Sequence, residues 1–249
     1  MSRVNSLLLD VNPLFLGKGK AMQKSFMKIT ICLLPLLLIT FGTAGAVKKT
    51  FKRAKSQFYF GLTIPYTTIG GDFDGQYALV SGSETIIIPE IDNAVGFGIT
   101  AGITGRVSPF WQYSLEIAYQ RTTHEYTFLS ASDDATLSNW DFNMKGIYAL
   151  ENIQPYLLLG LAVPIINVNN GSYDGIGYYD ANYRGVGINL GAGMDLYVSP
   201  RIFLNFNAMY RIQQISSVKG FDDRLEISGG MDSNGMNISA GIMYAIPLD

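Results

Sequence analysis

Five charged residues stand alone on the polar side of alternating segments: Glu116, Asp141, Lys145, Asp195 and Arg211. All but Lys145, which stands between Met144 and Gly146, are flanked at i±1 by apolar residues, as in Leu115-Glu116-Ile117 and Tyr210-Arg211-Ile212. With period 2, each therefore points away from an apolar face. Glu116 lies five residues from Trp111 at the short-turn end of its segment, and Lys145 five residues from the short-turn end of the next. The antiparallel neighbours set them at similar height, so they can pair. Asp141, Asp195 and Arg211 join at other levels. Such a set suits a salt-bridge network, because an unpaired charge in a narrow interior is costly. Its structural role is a closed polar plug; its alternative role is a gate that opens when the pairs rearrange.

The other reactive side chains are sparse. His124, in "RTTHEYTF", is the chain's one histidine, and a metal site needs more ligands than "HEY" supplies. It lies just past a strand, in what reads as a solvated loop, with Glu125, Ser130 and Ser132 nearby. "GVGINLG" is inside a strand with no helix after it, which excludes a phosphate loop. No catalytic residue, cofactor or metal is assigned.

The leader comes first among the elements. "MKITICLLPLLLITFGTAGA" (27–46) follows Lys24, contains Lys28, and ends in Ala44-Gly45-Ala46. A positive start, an apolar centre and an A-x-A end make a cleavable signal peptide, so residues 1–46 are extension plus signal. Met22 and Met27 are alternative starts. The single cysteine, Cys32, leaves with the leader, and export without disulfides suits a bacterial envelope protein. Residues 47–55 form a basic segment. The body from 56 to 249 carries eight basic against nineteen acidic residues, which excludes a nucleic-acid binder.

Beyond residue 55 alternation recurs and sustained helical periodicity does not. Eight strands are predicted: 56–65, 94–106, 110–121, 137–150, 155–163, two within 185–212, and 235–246. The fifth, "PYLLLGLAV", alternates too weakly to orient. Tight turns at 107–109, 151–154 and 199–201 alternate with long loops, the first being 66–93. That loop contains "ETIIIPEI", read as an extension of the hairpin or an exposed adhesive edge.

The polar face is rich in Gly and Asn and poor in charge, which is wrong for the outer surface of a soluble barrel. Turned inside out, the pattern makes sense: apolar residues meet lipid, and small and polar ones fill the bore. Closure is obligatory, since hydrocarbon tolerates no unpaired strand edge. The fold class is thus all-β, an eight-stranded antiparallel up-and-down transmembrane β-barrel over 56–249. Two aromatic belts mark the interfaces. Trp111, Tyr113, Tyr148 and Tyr156 lie toward the short turns, and Tyr119, Trp140 and Tyr210 toward the long loops.

On these residues the chain resembles the small outer-membrane β-barrels of Gram-negative bacteria, the OmpA-like, OmpX-like and Opa-like group. The resemblance covers "QFYFGLTI", "GINLGAGMDLYVSPRIFLNFNAMYRI" and "NISAGIMYAI". It implies a C-terminal assembly signal in Gly241, Tyr244 and Ile246, although the chain ends "IPLD" rather than in an aromatic residue. The implied partners are outer-membrane lipid and lipopolysaccharide, the barrel-assembly machinery, and an extracellular ligand at the loops. The implied role is structural or surface interaction, adhesin-like, without catalysis. Alternatives are a narrow gated pore and, more remotely, a lipid A-modifying enzyme using His124.

Overall fold

A computed structural model describes residues 55–249 except 76, 82–83, 129–130, 151, 222–223 and 249. The leader, nearly all of the basic segment, and Ser130 lie outside the described residues. In chain order the strands are β1 (Ser56–Thr67), β2 (Tyr77–Ser81), β3 (Glu84–Ile88), β4 (Glu90–Ile91), β5 (Ala94–Arg106) and β6 (Trp111–Phe128). They continue as β7 (Ala131–Tyr148), β8 (Ile153–Tyr173), β9 (Tyr178–Tyr197), β10 (Ile202–Lys219), β11 (Leu225–Asp232) and β12 (Gly235–Pro247).

Eight of these close a ring of antiparallel neighbours. Its order is β1, β5, β6, β7, β8, β9, β10, β12 and back to β1, which pairs Phe60 with Tyr244. β2, β3, β4 and β11 belong to the first and last long connections. Among the described residues no helix is long and apolar enough to cross a membrane; the crossing is made by strands.

The side-chain period of 2 sorts each wall strand into two faces. In β1, Phe60, Leu62 and Ile64 are exposed on the outside while Gln57, Tyr59 and Thr63 are buried inside. In β9 and β10, Ile188, Leu190, Phe206 and Tyr210 look out, and Asn189, Asp195, Asn205 and Arg211 look in. This is an inverted protein, with its large apolar residues exposed and its polar ones enclosed.

The wall strands run past their predicted ends. β6 and β7 rise until only residues 129–130 separate them, and β8 and β9 until 174–177 do. The reason lies in a change of polarity. Above the Tyr119–Trp140 pair, β6 turns Thr123, Glu125 and Thr127 outward and His124 and Tyr126 inward. Here the solvent outside is water, so the ordinary pattern of a soluble sheet returns. A reading based on an apolar outer face stops where that face becomes polar.

The inside of this upper section is an apolar core. Ile166, Val168, Tyr183, Ile215 and Val218 from the wall pack with Phe73, Ile86, Ile88 and Ile91 from the first long connection. "ETIIIPEI" is therefore neither an exposed edge nor a simple extension of the hairpin. It folds over the mouth and pairs Thr85 with Tyr173 and Ile86 with Ser172 of β8. β8 is the strand opposite β1 in the ring of eight. Burial of the isoleucines drives this inward fold, at roughly 1.5–3 kcal/mol per side chain.

Candidate functional site: the filled bore

Two tiers of hydrogen-bonded charge occupy the membrane-level interior. In the tier nearer the short turns, β6 supplies Glu116 and β7 supplies Lys145. The hairpin register sets Glu116 opposite Asn143 and Lys145 opposite Ser114. The two side chains lie on one diagonal and form an ion pair. The Tyr59 hydroxyl donates to Glu116 Oε2 at 2.9 Å and lies 2.8 Å from Ser114 Oγ. Asn143 Nδ2 donates to Glu116 Oε1 at 3.3 Å. The Lys145 ammonium sits 4.6 Å from the centre of the Tyr156 ring and 5.9 Å from that of Tyr59. Both contacts are favourable cation–π geometry. Asp195 accepts from Asn205 Nδ2 at 2.7 Å, and the same amide lies 2.9 Å from the Tyr156 hydroxyl.

The second tier centres on Asp141, which is 0% exposed, and Arg211, which is 2% exposed. Arg211 Nη2 donates to Asp141 Oδ2 at 2.6 Å and to Gln120 Oε1 at 2.8 Å. Asp141 Oδ1 accepts from Asn189 Nδ2 at 2.8 Å and from Asn139 Nδ2 at 2.5 Å. Gln213 Nε2 continues the chain to Asn139 Oδ1 at 3.0 Å. Asp141 thus accepts from three donors, Asn139, Asn189 and Arg211, in place of water.

The geometry brings together Glu116 with Lys145 and Asp141 with Arg211, and it sets Asp195 beside the Asn205 amide. Tyr59, Gln120, Asn139, Asn143, Asn189 and Asn205 complete the set. Alternation already places Tyr59 on the polar face between Phe58 and Phe60, so that signal was present. Tyr156 requires a correction. It is buried in the bore, 4% exposed, and not part of an aromatic belt. "PYLLLGLAV" is apolar on both faces, so nothing local determines which residues face in.

The remaining belt residues lie on the outer face. Trp111 packs edge-on against Tyr148 with centroids 5.3 Å apart, and Tyr119 lies tilted against Trp140 at 4.9 Å. Tyr113 and Tyr210 are exposed. In β12, Tyr244 and Ile246 also face outward, whereas Gly241 faces inward, where an added Cβ would press on the Leu62 carbonyl at 2.6 Å.

His124 also needs correction. It is not in a solvated loop but on the inner face of β6, 1% exposed. Its Nδ1 lies 2.6 Å from the Asp92 carbonyl oxygen, which can only accept, so Nδ1 carries the proton. Nε2 lies 2.6 Å from Thr122 Oγ1 and accepts from that hydroxyl. Burial pushes its pKa below the usual histidine value, against the hydrogen bond and charge of Asp92. Both ring nitrogens are occupied: Nδ1 ties the first long connection to the wall, and Nε2 is held by Thr122 of the same strand.

Comparison with known proteins agrees with this architecture. Residues 34–245 match the family model for the outer membrane protein beta-barrel domain. Among solved structures, Neisserial surface protein A is 16% identical with a TM-score of 0.44, the match covering 75% of this chain and 96% of that one. Ail, the attachment invasion locus protein of Yersinia pestis, solved with the heparin analogue sucrose octasulfate, is 13% identical at TM-score 0.44, covering 78% and 100%. OprG of Pseudomonas aeruginosa is likewise 13% identical at 0.44, covering 78% and 98%. No curated protein matches the chain. A closed antiparallel ring with lipid-compatible outside and polar inside, matched over most of its length by that model, makes this chain a member of the outer-membrane β-barrel family.

Proposed function

We propose that the protein acts at the cell surface through its extracellular crown, on a barrel that is closed at rest. The observation that carries this reading is the tip of the β8–β9 hairpin. Ile176 is 93% exposed and Tyr178 67% exposed, beside Tyr173 and a Tyr179–Phe221 ring pair with centroids 4.3 Å apart. The tip is rigid. Asp174 Oδ1 accepts from the backbone N–H groups of Ile176 and Gly177, each at 2.8 Å, and Gly175 adopts φ +94°. The Gly177 and Ile176 N–H groups hold the Asp174 carboxyl below the usual carboxylate range. Preorganised aromatic anchors are what interaction hot spots are made of. Asp133, Asp134, Asp174 and Asp180 surround them, so the partner is a surface that presents basic groups.

The same reading takes residues 1–46 as the export signal, with Val47 the first residue of the mature protein. It takes outer-membrane lipid and lipopolysaccharide as the barrel's surroundings. Gly241, Tyr244 and Ile246 are the feature presented to the assembly machinery.

The test is adhesion of cells displaying the protein to immobilised matrix proteins and glycans. Wild-type cells bind, and Ile176→Ser/Tyr178→Ser lowers binding at least ~10-fold with surface display unchanged. Equal binding by the two, or none by wild type, contradicts the proposal.

A further inference from the structure

The bore is closed at two heights by different materials. In and around the second charged tier lie buried polar atoms with no hydrogen-bond partner among the described residues. They are Thr63 Oγ1, the Oδ1 atoms of Asn189, Asn207 and Asn237, and Nε and Nη1 of Arg211. Donors and acceptors of this kind, facing one interior, are satisfied by water. Among the described residues, three carboxylates of the tiers (Glu116, Asp141, Asp195) meet two cationic side chains (Lys145, Arg211), which makes this set net negative.

Above it the material changes. Phe73, Ile86 and Ile88 of the first connection pack on Ile166, Tyr183 and Ile215 of the wall. An ion crosses a hydrated layer of exchangeable hydrogen bonds far more easily than an apolar layer, which stays dry. This apolar layer is not part of the ring. It is a strap anchored at few points. Glu84, 5% exposed, accepts from the Ser172 hydroxyl and from the Phe221 N–H, the latter at 2.7 Å. Tyr183 donates to the Ile87 carbonyl.

We infer that the barrel is a narrow cation-conducting path stoppered by its first extracellular connection, with Glu84 as the latch and the charged tiers as the selective, not the sealing, element. This goes beyond the surface role and does not depend on the crown binding anything.

The test is conductance of the full-length protein in a planar bilayer with KCl on both sides. Wild type is silent. Replacing residues 77–88 with a short Gly-Ser linker gives cation-selective steps and at least ~10-fold more integrated current. A second variant avoids the deletion: Glu84→Gln with Thr85→Cys, Tyr173→Cys and Cys32→Ser. Thr85 and Tyr173 face each other in register, so this variant conducts when reduced and falls silent when oxidised. Two results overturn the inference. One is silence of the folded linker variant together with no redox response of the cysteine variant. The other is Lys145→Ala or Arg211→Ala conducting with the strap intact, which makes the tiers the seal.

Discussion

Lys145 and Arg211 are each enclosed by the wall and matched by one carboxylate, so removing one partner strands the other. Lys145→Met alone should cost about 3–5 kcal/mol in reversible urea unfolding from lipid vesicles, and Glu116→Gln with Lys145→Met should recover most of that. A single substitution costing less than about 1 kcal/mol would mean that the pair is solvated. Glu116 and Lys145 could be matched from the sequence because alternation fixes their face and both lie about five residues from the short-turn ends of neighbouring antiparallel strands. Asp195 could be placed on the inner face, and the tight turn at 199–201 sets it opposite Asn205, but alternation alone does not say that this amide is its hydrogen-bond donor. His124 carries a pH prediction. Its pKa, lowered by burial, means that the folded protein holds it neutral while the unfolded chain titrates near 6.5. Its contribution is complete above about pH 6.5 and is lost as pH falls toward the lowered folded value. The wild-type unfolding midpoint should therefore drop between pH 7 and 5 more than that of His124→Asn. Parallel curves would show that the ring is not held neutral.

At the scale of elements, the inner-face glycines set how closely neighbouring strands and side chains approach. A Cβ on Gly193 would overlap the Phe206 carbonyl oxygen and the Tyr156 hydroxyl, whereas one on Gly146, on the outer face of β7, meets nothing within 4 Å. Gly193→Ala should destabilise the barrel by about 1–3 kcal/mol and Gly146→Ala by much less, read from the same urea transitions. Equal effects would show that strand propensity, not space, governs these positions. The strands themselves were legible wherever one face is apolar and the other is not, as in β1, β5 and β12. The upper halves of β6 to β10 were missed because the solvent outside changes from lipid to water and the pattern inverts. The inward fold of "ETIIIPEI" was missed for a related reason: an apolar run without alternation says that it is buried but not against what.

The whole molecule follows from one assignment, lipid outside and a filled polar bore inside. Closure of the ring, the belts and the interior tiers are its consequences, and the resemblance to small outer-membrane barrels was visible in the same strands. Leu159→Arg, on the lipid face, should cost about 2–4 kcal/mol in a bilayer. Thr123→Arg, on the outer face of β6 above the belt, should change stability by no more than about 0.5 kcal/mol. Comparable costs would put the bilayer at the wrong height. β8 offers the most direct test, because its sequence does not reveal its orientation while the structure commits to one. Leu157, Leu159 and Leu161 are exposed on the outside, and Tyr156, Leu158 and Ala162 are buried inside. Spin labels placed singly from 156 to 162 in the barrel reconstituted in bilayers should show oxygen accessibility that alternates, high at 157, 159 and 161 and low at 156, 158 and 162. Absence of alternation, or the opposite phase, would contradict the inside-out assignment on which the rest depends.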